Sequence, residues 1–427
     1  MNIKLLHTPE GVRDIYNVEY SKKVKIEQDI LEVLHLYGYK GIQTPMFEFF
    51  DIFNRETGSV SSREMYKFFD REGNTLVLRP DMTPSIARCV AKYFDEEHLP
   101  IRLCYKGNTF VNNASHQGKL KETTTIGAEL VNDNSSSGDA EVIALAINSF
   151  LALGITDFTV DVGQVDFYQG ICEEFGIKGD IELRLRELVK NKNFFGVEEL
   201  LHDVDTISEE GKKAISTFTQ LYGGREILET AKNLVFNSKA RKAVEHLDNV
   251  YRILSVYGYE KYISFDLAML HNFDYYTGII FKGYTYGTGD AVVKGGRYDN
   301  LLEQFGKKAP SVGFSVNVDE LLLAMTSQKI KVDTARNKRL LVYHGPGYKP
   351  AIKTANYYRK NGIICEAVRL LQGMDIEDYV EKAKEAGYGG ICYFETREIA
   401  WVINTETDKR ERFTDFHALA DRIDQIV

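Results

Sequence analysis

Three things are scarce or missing in this 427-residue sequence: cysteine, an excess of positive charge, and any long apolar run. The five cysteines, Cys89, Cys104, Cys172, Cys365 and Cys392, are odd in number and none is spaced C-x-x-C. This excludes a disulfide frame or a cysteine zinc site and leaves reduced core residues of a cytoplasmic protein as the expectation. The net charge of −9 argues against a dedicated nucleic-acid binder, which carries a basic excess. No stretch of about 18 apolar residues occurs and Met1–Gly11 has no apolar core of a leader, so neither a membrane span nor a signal peptide is expected.

Common catalytic motifs are missing as well. There is no H-E-x-x-H, and no serine or cysteine stands in a nucleophile elbow. Gly287-Thr288-Gly289 and Gly345-Pro346-Gly347 match neither a dinucleotide fingerprint nor a P-loop, and read as turns. The nine histidines are scattered. No cofactor and no metal site is expected, and no internal repeat or low-complexity stretch is found.

What is present is a chain with 44% hydrophobic and 27% charged residues, long enough for two or three domains. Ile26, Ile30, Leu34 and Tyr37 predict an amphipathic helix over 21–37 that stops at Gly38. Strands are predicted at Ile42–Thr44, before Pro45, and at Leu76–Leu78. In Arg79-Pro80-Asp81-Met82-Thr83-Pro84, Thr83 is a candidate cap and Pro84 suits a first helical turn. Pro100–Phe110 and Lys121–Val131 read as a hairpin with a long polar connection. A helix over Asp139–Leu153 and a strand over Asp157–Val162 lead into a mainly helical block, about 168–257, that has the character of an insertion. Strands at Ser264–Ala268, Gly278–Tyr284 and Val312–Val316 and a helix at Val318–Met325 follow, with Gly295-Gly296-Arg297-Tyr298-Asp299 opening toward a helix. After a polar linker, 327–338, strands and helices alternate: Leu340–Tyr343, Pro350–Arg359, Ile363–Val368, Ile376–Ala386, Gly390–Phe394, Trp401–Asn404 and Asp415–Ile426. This predicts a small α/β domain with a largely parallel sheet.

The order and spacing of several segments resemble the histidyl-tRNA synthetase family. Thr8-Pro9-Glu10-Gly11-Val12-Arg13-Asp14 is similar to the family's opening. Pro45 stands at the motif 1 proline, and Phe110 to Glu129 matches motif 2 without a gap. Asp274-Tyr275-Tyr276-Thr277-Gly278 resembles the second histidine signature, and Gly295–Asp299 with Val312-Gly313-Phe314 resembles motif 3 and its approach. The resemblance implies an α+β fold: a class II synthetase-like antiparallel sheet with flanking helices over 1–326, carrying the helical insertion, and an anticodon-binding-like α/β domain over 338–427. It also implies a homodimer formed through the core.

The departures from the family bear on function. Activation of an amino acid is electrostatic, because arginines hold the phosphates of ATP through charge-assisted forks. Where motif 2 of the family has its α-phosphate arginine this chain has Val111, and the acidic residue two places on is Asn113. The γ-phosphate arginine of motif 3 is replaced by Glu320, a carboxylate that repels phosphate. The arginine of the second signature is His271, followed by Asn272 in place of glycine, and the glutamine that touches substrate histidine is Thr125. Losing one such donor costs a factor of about 100–1,000, so aminoacylation is not expected.

The amino-acid pocket is better kept. The resemblance implies that Glu129 reads an imidazole, that Asp81 and Thr83 hold an α-amino group, and that Tyr275 and Tyr276 flank the ring. Together with Thr125 and His271 these are the candidate histidine-binding residues; the alternative is that Asp81 only supports a helix start and the tyrosines only pack. A synthetase-like chain with Leu78-Arg79-Pro80-Asp81-Met82-Thr83, Arg102-Leu103-Cys104-Tyr105 and Leu221-Tyr222-Gly223-Gly224 looks like the regulatory subunits of ATP phosphoribosyltransferase. Such chains charge no tRNA. The resemblance implies a hetero-oligomer with the short-form catalytic subunit, which performs the first step of histidine biosynthesis, and histidine as feedback effector. The C-terminal domain agrees: from Arg339 to Val427 it has thirteen Lys/Arg against fourteen Asp/Glu, without the excess an anticodon binder presents. A divergent histidyl-tRNA synthetase and a free-standing amino-acid or RNA-binding paralogue are the competing readings.

Overall fold

A computed structural model describes residues 6–53, 60–113, 119–270, 276–333, 338–405 and 407–414. The chain divides into two compact units, one up to Val332 and one from Asp333.

In the first unit, nine strands form one sheet in the order Lys40–Gly41, Ile101–Phe110, Glu122–Val131, Ser311–Asn317, Val293–Arg297, Ile279–Thr285, Phe158–Gln164, Ile263–Asp266 and Tyr222–Gly223. Neighbours are antiparallel except for Lys40–Gly41 on Ile101–Phe110 and Phe158–Gln164 on Ile263–Asp266. Alternation along the strands sends side chains to two cores. Cys104, Ala128 and Leu130 join the larger core, which contains the helices Asn17–Leu36 and Ser136–Ala152. Leu103 and Tyr105 join a smaller one with Met82, Ile86, Val90 and Leu302. The helix Ser136–Ala152 is buried nearly all round, with Ala140 and Val142–Ile147 inaccessible to solvent. Its hydrophobic surface suits that position, and the Ser135 hydroxyl caps it by accepting the Gly138 N–H at 3.1 Å.

The predicted hairpin is present, with Ile101 opposite Val131 and Phe110 opposite Glu122. The predicted helical block resolves into Val165–Glu174, Asp180–Lys190, Phe194–Asp203, Glu209–Phe218, Glu226–Leu234 and Ser238–Val256. Within it Tyr222–Gly223 adds an edge strand to the sheet, which the helical periodicity had not suggested. Three other expectations are corrected. Ile42–Thr44 is not a strand; the carbonyls of Thr44 and Pro45 accept the Arg79 guanidinium at 2.9 and 3.1 Å instead of a ladder partner. Thr83 does not cap its helix, Thr83–Tyr93; its hydroxyl is directed at Glu129. Gly295-Gly296-Arg297 belongs to a strand, because a Cβ on Gly295 would lie 2.4 Å from the Phe281 ring, and only a short 3-10 turn, Leu302–Phe305, follows. A small separate sheet, Phe47–Phe49, Thr75–Leu78 and Lys67–Phe69, takes up the predicted strand at 76–78.

The second unit holds five strands in the order Ile364–Arg369, Lys338–Tyr343, Gly390–Phe394, Ala400–Asn404 and Arg410–Phe413. The first three are parallel and the last two pairings antiparallel, so the sheet is mixed, not largely parallel. Helices Tyr348–Lys360 and Ile376–Glu385 pack on it. The helix expected at Asp415–Ile426 lies outside the described residues. The cysteines are free; Cys104, Cys172, Cys365 and Cys392 are buried and Cys89 partly so. No helix among the described residues is long and apolar enough to cross a membrane.

Candidate functional site

A cleft of about 290 Å³ opens on the sheet face away from the larger core. Strand alternation floors it: Thr123 and Thr125 continue the parity of Gly127 and Glu129, and Gly313, Ser315 and Asn317 stand opposite Glu129, Gly127 and Thr125. The Thr109 hydroxyl joins those of Thr123 and Thr125 at 3.1 and 3.3 Å, giving a patch of hydroxyls on one wall.

Glu129 lies one layer beneath, with 1% of its surface exposed. Thr83 donates to its Oε1 at 2.9 Å and Tyr298 donates to Oε2. Two glycines make the room: a Cβ on Gly313 would meet Glu129 Oε2 at 1.6 Å, and one on Gly127 would meet the Tyr105 hydroxyl at 2.4 Å. Burial, with the neighbouring Asp81, pushes the Glu129 carboxyl up to about 8, against hydrogen bonds from Tyr298, Thr83 and Tyr105 that favour its charged form. The Thr83 and Tyr298 hydroxyls each have a single hydrogen, and when Glu129 is charged both are spent on it. Thr83 and Tyr298 also line the cleft, so a charged Glu129 would place acceptor oxygens there over a buried negative charge. Such a surface suits a cationic N–H donor, an α-ammonium or an imidazolium.

Asp81 lines the same wall and accepts the Thr83 N–H at 3.3 Å. Tyr276 lines it too, its ring seated where a Cβ on Gly296 would be 2.6 Å away. Asp81, Thr83, Thr125 and Tyr276 therefore converge on one cleft, with Glu129 behind it. His271 and Tyr275 lie outside the described residues.

The departures from the synthetase pattern fall in the same place: Val111, Asn113 and Glu320 all line the cleft. Its charged lining is Lys119, Lys121 and Lys294 against Asp81, Asp290 and Glu320, with no arginine among the described residues, and Lys294 is paired with Asp290 at 3.0 Å. The arginines of the neighbouring motifs are committed elsewhere. Arg79 donates to the carbonyls of Thr44, Pro45 and Asn108. Arg297 is buried against Asp139, at 2.6 Å. A triphosphate would meet a balanced lining with no arginine among the described residues to hold its phosphates, which is poor electrostatic support.

Sequence reading missed Tyr298 as the second donor to Glu129, and the hydroxyl and amide lining from Thr109, Thr123 and Asn317. The period-two alternation of Thr123, Thr125, Gly127 and Glu129 carried that signal for the second hairpin strand. Nothing local placed Tyr298 across from it.

The sheet, its helical insertion and the cleft on its face define a class II synthetase-like protein. The family model described as histidyl-tRNA synthetase matches residues 11–321. A histidyl-tRNA synthetase structure from a Nostoc species aligns with a TM-score of 0.81 over 99% of each chain, at 18% identity, a likeness of fold. Sequence similarity is higher to another group. A protein of Acetivibrio thermocellus named ATP phosphoribosyltransferase regulatory subunit is 38% identical over 409 residues, 96% of this chain and 97% of that one. A Bacillus halodurans structure described as an ATP phosphoribosyltransferase regulatory subunit/histidyl-tRNA synthetase aligns with a TM-score of 0.81 at 31% identity, over 91% of this chain and 98% of that one. The chain belongs to the ATP phosphoribosyltransferase regulatory subunit family.

Proposed function

We propose that this chain is a non-catalytic regulatory subunit of ATP phosphoribosyltransferase that carries the enzyme's response to histidine. It joins the short-form catalytic subunit in the cytoplasm for the first step of histidine biosynthesis, and pairs with a second copy through the synthetase-like core. The observation that carries the reading is the cleft: its acceptor cluster of Thr83, Tyr298 and Glu129 suits an amino-acid cation, while Val111, Asn113 and Glu320 replace what would hold ATP. The names of its relatives point the same way. Feedback is then a coupling free energy, in which histidine binds active and inhibited assemblies with different affinity. A near-neutral C-terminal unit, thirteen basic against fourteen acidic residues, speaks against tRNA as a partner.

Two assays test this. Adding the chain to the short-form catalytic subunit is expected to raise phosphoribosyl transfer, and histidine to lower it again; a catalytic subunit indifferent to the chain sinks the reading. Histidine-dependent exchange of pyrophosphate into ATP is expected to stay at background, since each missing phosphate donor is worth a factor of about 100–1,000. A clear exchange signal would establish the divergent-synthetase reading instead.

A further inference from the structure

The helical insertion is wired to the cleft by one polar chain. His246, on the last inserted helix, Ser238–Val256, approaches Asp139 Oδ2 with Nε2 at 2.6 Å, while its Nδ1 lies 3.1 Å from the Ser136 hydroxyl. Asp139 is wholly buried and takes Arg297 Nε and Nη2 on its other oxygen at 3.0 and 2.6 Å. Arg297 reaches on through Nη1 to the Asp133 carbonyl at 2.8 Å and Asp299 at 3.1 Å.

The chain neighbours of Arg297 are the ones that matter to the cleft. Gly296 seats the Tyr276 ring, and Tyr298 donates to Glu129. The Arg297 carbonyl also accepts the Thr277 N–H at 2.8 Å, which fixes the segment that follows Tyr276. A buried guanidinium held on two sides has one allowed position, so the register of both flanking residues follows it.

We infer that His246 is a positioning residue, through which the inserted helices set the geometry of Tyr276 and Tyr298 over Glu129. A change in how the insertion is held, for instance by a bound protein, would reach the cleft along this route. The Nε2 hydrogen must point at the carboxylate, so His246 completes a third hydrogen bond to Asp139 beyond the two from Arg297. It is the replaceable member of the chain: its side chain is 24% exposed, whereas Asp139 and Arg297 are at 0% and 7%. Removing it leaves the buried ion pair intact and loosens only its orientation.

The inference rests on the reading of the cleft as the histidine site for its consequence, but not for its first test. Hydrogen exchange is measured on the full chain as wild type, His246→Leu and His246→Gln. Glutamine places an N–H close to the position of Nε2 and is the conservative rescue. Peptides spanning 276–299 are expected to exchange about tenfold faster in H246L and near wild type in H246Q, with 140–150 unchanged. Unchanged exchange over 276–299 overturns the inference, and so does a uniform acceleration that includes 140–150, which marks plain destabilisation. Histidine titrations then separate the two ideas. In H246L affinity is expected to fall about tenfold, with recovery in H246Q. Wild-type protein that binds no histidine refutes the proposed function while leaving the exchange result to decide this one; equal affinity in wild type and H246L refutes this one alone.

Discussion

Replacing Glu129 by glutamine is expected to abolish most of the response to histidine and to remove a loss of stability that wild type suffers as pH rises. Glu129 is the buried carboxyl beneath the Thr83 and Tyr298 hydroxyls. Glutamine keeps the shape but cannot take up the charge, and it donates a hydrogen of its own to a hydroxyl that would otherwise donate to it. Loss of a charge-assisted contact of this kind costs about 1.5–3 kcal/mol, so histidine affinity should fall roughly tenfold to a hundredfold. Calorimetry with histidine in buffers of different ionisation enthalpy gives an independent measure. Burial holds the Glu129 carboxyl at about 8, so near neutral pH a cation that binds above it must drive its proton off. Wild type should release up to about one proton on binding at pH 7 and E129Q none from this position.

The stability effect follows from the same shift. The folded value of about 8 lies above the ordinary 4.5, so the folded state binds the proton more tightly than the unfolded chain. The stability this contributes is fully present below about pH 4.5 and is lost as pH rises through about 8. Chemical denaturation of wild type should therefore weaken across that window, relative to E129Q, by an amount on the order of a few kcal/mol. Parallel pH profiles for the two proteins would mean that Glu129 is already charged throughout, and the acceptor surface permanent.

Asp139→Asn is expected to be the most destabilising substitution near the site, by about 3–5 kcal/mol. Asp139 is wholly buried and receives Arg297 twice and His246 once. The substitution leaves a guanidinium in the interior with only Asp299, itself partly exposed, for a countercharge. Removing both charges together, Asp139→Asn with Arg297→Met, is expected to recover much of the loss, because no uncompensated buried charge then remains. Urea unfolding of the two singles and the double checks this. A D139N midpoint close to wild type would show that solvent reaches Arg297 and that the chain from His246 is not a buried wire.

Much of the fold was legible because its signals are local. Ile26, Ile30 and Leu34 announced the first helix, and the strand-like stretches Pro100–Phe110 and Lys121–Val131 around a polar connection announced the hairpin. The errors arose where a partner distant in sequence decided the outcome. Thr44 and Pro45 give their carbonyls to Arg79, Gly295–Arg297 were recruited into the sheet by Phe281 and Gly313, and Thr83 was drawn to Glu129. The missing phosphate ligands could be read residue by residue at Val111 and Glu320, since a valine or a glutamate cannot hold phosphate in any fold.

The sequence by itself therefore determined what this chain has given up, because the chemistry of a side chain is a local property. The resemblance of its motifs implied the α+β plan, and periodicity against solvent, which is local too, placed many of its elements. Only the tertiary structure decided that those losses, Thr125 among them, and the retained Asp81, Thr83 and Tyr276 face one cleft, and that Glu129 sits beneath it under two hydroxyls. Burial and pairing depend on strands and helices that meet from 46 to 169 residues apart, as Thr83 and Tyr298 do at Glu129. No local pattern encodes such meetings; they are settled when the sheet closes over its core.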